Sequence, residues 1–367
     1  MDFQQTDRFA NLLFVTSSEA LAENIGIAEA NNIIGHLKSL DKSFVVDVPK
    51  GTAVDQAANQ VKTYLGPSIK GVVIIGGYDV VPPCVLDVLT LEQRDAMIAE
   101  GEEPTNDKDN FTVYSDDIYG DKDDDLYSEF PVSRIPDGRK ANVIMQALTA
   151  PPFEIGKKFG VRNLARPFAE TCFQTVPGHE EKMNVTEHFR PDHLTAEMGQ
   201  GAVYYMLHGK DEDNSIYLGE TGQRLTLESI RVDKLSDNLK GTVVFAACCW
   251  GALTALPTAM NKSSMTSFRP RTVEQSIPLT YLERGANAFI GCTGSHYSPD
   301  APPFNYYGRP MHDYFWAEIS AGKPAALALF NAKKKYVTGI PHGADVASVK
   351  AIELKMFRIF TCLGLGW

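Results

Sequence analysis

The chain has 367 residues, 44% hydrophobic and 22% charged, with a formal net charge of −11. That composition describes a globular protein with room for a large core, and without a run of about 18 apolar residues it argues against a membrane-spanning helix. The negative balance argues against nucleic acid or an anionic membrane as partner, and the six scattered cysteines form neither a disulfide scaffold nor paired zinc ligands. The opening residues, MDFQQTDRFANLLFV, lack the basic and apolar regions of a secretory leader, which predicts a cytoplasmic chain with reduced thiols.

Along the chain, the apolar runs are short: 11–15, 43–48, 71–77, 130–134, 202–209, 242–249 and 286–295. Segments with helical periodicity, such as 53–65, 142–148 and 278–284, lie between them. Short apolar strands alternating with helices predict an α/β fold, a mainly parallel sheet with helices on both faces. Pro151-Pro152 marks a boundary between two α/β halves, 1–150 and 151–367. The acidic stretch 95–125 and the polar stretch 257–277 read as surface loops.

Gly76-Gly77 follows an apolar run but lacks G-x-G-x-x-G spacing and meets proline where a helix would start, which rules out a Rossmann dinucleotide site. In DKDDDLY, Asp121, Asp123 and Asp125 have EF-hand spacing. Leu126 stands at the glycine position and Val132 at the closing glutamate, so the stretch is no EF-hand and stays a candidate for loose calcium binding. No cofactor is required elsewhere.

The run VVFAACCWG sets Cys248 beside Cys249 at a strand end, and AVYYML leads into His208-Gly209 at the end of another. In open α/β sheets the working residues sit just beyond the carboxyl ends of strands, and adjacent parallel strands joined by a crossover bring two such ends together. A histidine there increases the thiolate fraction of a cysteine.

One strand ending in His-Gly and the next in Ala-Cys resembles the caspase-like cysteine peptidases, above all the gingipain-type family. The likeness continues in order through VVIIGGYDVVPP (72–83), SDDIYGD (115–121), FPVSRIP (130–136), MLHG (206–209), ACCWG (247–251) and GANAFIGCTGS (285–295). The chain departs from the family pattern at Leu207 before the histidine, at Ser133 before Arg134, and in its doubled cysteine.

The resemblance implies a caspase-like fold whose catalytic half is 151–367, and peptide-bond hydrolysis through a thioester. Cys248, three residues before Gly251, is the expected nucleophile. Cys249 is the alternative, placed in packing by strand alternation. His208 is the expected base, and the N–H groups of Gly209 and Cys248 the expected oxyanion hole. A pocket for Arg or Lys at P1 draws its acid from Glu180 and Glu181 and is walled by Cys292 and Thr293. No carboxylate stands where the family orients its histidine, which leaves Gln174, Thr175, Glu180 and Glu181, or a dyad. The implied partners are a protein or peptide substrate and an activating protein or ligand that relieves latency. Lys262, Arg269 and Arg271 make 257–277 a candidate autoprocessing loop. The same fold without activity would be a silent interaction module.

Overall fold

The computed structural model describes residues 8–223, 225–256, 268–339 and 346–367. In chain order its strands are β1 (Leu12–Thr16), β2 (Phe44–Asp47), β3 (Gly71–Ile75), β4 (Cys84–Asp87), β5 (Thr112–Ser115), β6 (Val132–Ile135), β7 (Lys158–Arg162) and β8 (Asn184–Val185). They continue as β9 (Ala202–Met206), β10 (Ile216–Glu220), β11 (Thr226–Arg231), β12 (Val243–Ala246), β13 (Ala255–Leu256), β14 (Arg269–Pro270), β15 (Ala288–Cys292) and β16 (Phe360–Gly364).

A 10-stranded sheet runs β2-β1-β3-β6-β16-β15-β12-β9-β7-β8. Strands β1, β2, β3 and β6 pair in parallel, as do β15, β12, β9, β7 and β8. β16, antiparallel to β15, lies between the two groups and joins them. Each apolar run of the sequence is a strand of this sheet, and every residue of β1, β3, β9, β12 and β15 is buried, as continuous apolar strands covered on both faces require. Among the described residues no helix is long and apolar enough to cross a membrane.

Strand alternation sorts the core into two layers. Phe245 points to the layer that holds Phe14, Phe315 and Trp316, whereas Val244 and Ala246 point to the layer of Tyr205, Tyr217, Tyr281 and Phe289.

Two stretches differ from their reading as surface loops. Within 95–125, β5 pairs with β4, and Asp107 and Asp109 are buried. Within 257–277, residues 257–267, and so Lys262, lie outside the described residues. Beyond them Arg269 sits in β14 against β13, and Arg271 is 1% exposed with Nε donating to the Ala255 carbonyl at 3.2 Å. A protease cannot reach a buried arginine, so Arg271 is no processing site.

Candidate active site

The register Ala246↔Tyr205 ends β9 and β12 at one edge of the sheet. Past that edge the His208 backbone pairs with Leu218, N–H to O at 2.7 Å and the return bond at 2.8 Å, which swings β10 behind the imidazole. His208 Nε2 consequently lies 3.1 Å from Glu220 Oε1. It also lies 2.6 Å from Asn163 Nδ2. Asn163 follows β7, where its N–H donates to the Met206 carbonyl at 2.8 Å, and its Oδ1 accepts the Ala165 N–H at 3.1 Å, so the NH₂ group is the end turned to the ring. Burial lowers the pKa of His208 below its ordinary value, and the Glu220 carboxylate opposes that shift.

The two cysteines part company at the end of β12. Cys248 continues the alternation of Val244 and Ala246 into the core layer beneath, where it is 0% exposed. Burial raises its thiol pKa, with the Leu207 amide opposing. Cys249 instead lines a small cleft together with Asn163, Arg166, His208, His296 and Ser298. Its Sγ accepts the His296 N–H at 3.3 Å. Burial raises its pKa as well, and the His296 amide, Ser295, Lys355 and Lys108 pull the other way. Of the adjacent thiols, Cys249 is the one that shares a cleft with His208.

Gly209 is held to glycine by contact. A β-carbon there would come within 1.9 Å of the Cys249 carbonyl oxygen. That approach sets the Gly209 and Cys249 backbones side by side, and among the described residues neither N–H donates to a protein acceptor. Backbone N–H groups left without a protein acceptor beside a thiol are the kind of donor that receives an oxyanion.

The loop that carries His296 is fixed from beneath. Asp109 Oδ2 accepts the Ser295 N–H at 2.5 Å, and Tyr297 donates its hydroxyl to Asp107 Oδ1 at 2.7 Å. Lys355, whose side chain is 0% exposed, donates to both Asp107 oxygens at 2.6 and 2.7 Å and also to Asp109. Burial, together with the neighbouring Asp107, raises the Asp109 carboxyl to about 7. Burial likewise lowers His296 to about 3, which keeps that ring neutral beside the thiol.

Other residues expected at the site lie elsewhere. Glu180 and Glu181 follow His179, whose N–H donates to Gly156 O at 2.7 Å, and their charges act on Lys158 at the start of β7, the end of the strand opposite Asn163. Gln174 and Thr175 close the helix Phe168–Thr175, with Thr175 Oγ1 donating to the Cys172 carbonyl. Cys292 is buried in the core, and Thr293 donates its hydroxyl to Tyr114 O at 2.8 Å; neither lines the cleft.

Asp121, Asp123 and Asp125 do gather, with Glu129, such that one ligand atom of each lies within 4.8 Å of the others. Asp121 accepts the N–H groups of Asp123, Asp124 and Leu126, and Glu129 that of Lys122, so the turn uses part of this oxygen set to close itself.

Asn163, Glu220, Arg166 and His296 were not singled out from the sequence. A signal for the first existed: Asn163 directly follows an extended stretch, KFGVR, whose charged ends and central glycine break the apolar pattern.

Solved structures share this architecture, two of them as follows. Gingipain R (RgpB), an Arg specific cysteine proteinase, aligns over 98% of this chain and 77% of its own with 12% identity and a TM-score of 0.54. The complex of pro- and mature domains of RgpB from Porphyromonas gingivalis aligns over 97% and 78%, with 11% identity and a TM-score of 0.58. The fold is therefore that of the caspase-like gingipain group. No protein-family model and no curated protein matches the chain.

Proposed function

We propose that the protein is a cysteine endopeptidase whose nucleophile is Cys249 and whose base is His208. The observation that carries this reading is the shared cleft: Cys249 and His208 line it together, and Cys248 is buried in the layer beneath.

Burial keeps the Cys249 thiol protonated at neutral pH, so a base has to remove its proton as the sulfur attacks. The imidazole does so only with a free lone pair. When Nε2 accepts the Asn163 Nδ2–H, the ring proton sits on Nδ1 and the base is blocked; when Nε2–H donates to Glu220 Oε1, Nδ1 is free to take the thiol proton. Glu220 then stabilises the imidazolium, and competition between the two partners gives the site a latent and a competent form.

In the forward step the Cys249 sulfur bonds to the scissile carbonyl carbon, and its proton passes through His208 to the leaving nitrogen as the C–N bond breaks. Water then attacks the thioester, yields a proton to His208, and the C–S bond breaks to release the acid and restore the thiol. The Gly209 and Cys249 amides receive the oxyanion in both steps, each such donor contributing on the order of 3 kcal/mol. Preference for Arg or Lys at P1 rested on Glu180 and Glu181, and the cleft gives that preference no support.

The test is cleavage of a mixed peptide library read by mass spectrometry, together with iodoacetamide labelling mapped to single cysteines. Cys249→Ala and His208→Ala are expected to abolish cleavage, with Cys248→Ala retaining it and Cys249 the thiol labelled at pH 7.5. Cleavage lost in Cys248→Ala and kept in Cys249→Ala would return the nucleophile to Cys248. No cleavage, and labelling indifferent to His208, would leave a silent interaction module.

A further inference from the structure

The cleft beside Cys249 is cationic in an acidic protein. Arg166, on the turn after β7, lines it together with His296 and Ser298, and among the described residues no carboxylate lines it. The Arg166 guanidinium is free to act: its hydrogen bond runs from Nη1 to the carbonyl of its own neighbour Ala165, at 3.3 Å, and no acidic side chain pairs with it among the described residues. A second cation is close: Lys108 Nζ lies 5.9 Å from the ring centre of Trp250, the residue after Cys249, and its charge acts on Cys249. Glu220 is engaged with His208.

Resting on the peptidase reading above, we infer that Arg166 is a specificity-determining residue that receives a carboxylate side chain, so that the bond cleaved follows Asp or Glu. A planar guanidinium with unused donors matches a carboxylate in a bidentate pair, and a partly desolvated cleft strengthens that pair. Arg166 and Lys108 both act on the charge state of His208, and Arg166 on that of His296, which places their field at the reacting groups. An arginine or lysine side chain entering the same space would meet like charge with no acid to neutralise it, which is a penalty against the wrong substrate as well as a gain for the right one.

Two sets of probes separate this inference from the peptidase reading. The first is a pair of small alkylating agents alike in size: iodoacetate, an anion, and iodoacetamide, neutral, each forming a C–S bond at Cys249 as iodide leaves. The ratio of their rates, after correction for a free thiol, is expected to favour iodoacetate in the natural protein, to fall several-fold in Arg166→Gln and Lys108→Gln, and to fall with added salt. The second set is peptidyl chloromethyl ketones identical except at P1, carrying Asp, Glu, Asn or Arg. Asp and Glu reagents are expected to label Cys249 at least about tenfold faster than Asn, the factor that one hydrogen bond to a charged group supplies. Arg166→Glu is expected to turn the preference toward Arg.

Fastest labelling by the Arg reagent in the natural protein, or equal rates for Asp and Asn unaffected by Arg166→Gln, would overturn the inference while leaving the peptidase reading in place. An Arg166-dependent preference for iodoacetate with no labelling by any peptidyl reagent would sink the peptidase reading and keep anion recognition by the cleft.

Discussion

At the scale of residues the site turns on single atoms. His208 Nε2 has two partners and can satisfy one, and Glu220 is the partner that favours both the base-competent tautomer and the cation formed from it. Glu220 raises the pKa of His208 against the lowering by burial, so Glu220→Gln lets that pKa fall further. The acid limb of the kcat/KM profile is expected to move to lower pH while its plateau drops by about 10²–10⁴-fold, the range for a misdirected general base. An unchanged profile would remove Glu220 from the site. That the two thiols part was within reach of the sequence, since alternation along VVFAACC puts Cys248 and Cys249 on opposite faces. Which face holds the cleft was not, because that depends on the turn at Trp250, whose φ of 50° leads the chain away after Cys249. Spacing to Gly251 selected the buried thiol instead.

At the scale of elements, long-range assembly decides what local composition conceals. The stretch 95–125 is acidic and rich in turns, and by composition it reads as a solvated loop. Its Asp107 and Asp109 are buried because Lys355, almost 250 residues later, meets them on the helix Ala347–Arg358. A buried carboxylate is tolerable only with such a partner, and sequence periodicity carries no trace of a partner so distant. Lys355→Met should therefore destabilise the protein by about 3–5 kcal/mol near pH 8, the cost of stranding a buried charge. Lys355 opposes the raised pKa of Asp109, so without it that carboxyl lies further above its unfolded value, the folded state binds the extra proton, and the deficit shrinks as pH falls toward 5. Urea unfolding at both pH values checks this, and a deficit independent of pH would show that packing, not charge, sets the cost. Loss of Cys249 labelling under conditions where the variant stays folded would add that the cluster positions the His296 loop.

At the scale of the whole molecule, the seven apolar runs gave the sheet and its α/β class, whereas its unity escaped them. Pro151-Pro152 reads as a boundary, and the strands on either side of it do form two parallel groups. What closes the sheet is β16, which lies between β6 and β15. The Ser133 hydroxyl donates to Leu365 O at 2.9 Å on one side of that strand, and the Asn287 side-chain amide donates to Trp367 O at 3.3 Å on the other. The strand is buried along its length, so neither group of strands has a solvated inner edge to unfold from by itself. Urea unfolding followed by far-UV circular dichroism and by tryptophan fluorescence is accordingly expected to give one coincident transition. Removal of residues 360–367 leaves β6 and β15 with exposed edges, and that chain is expected to lose the transition and aggregate. Two separated transitions in the full chain, or a truncated chain that keeps one of them, would mean that the halves fold independently and that β16 merely docks between them. A single transition would tie the His208 and Cys249 ends of β9 and β12 to the first half of the chain, because the strand that follows the Asp107–Asp109–Lys355 cluster is the same one that joins the sheet.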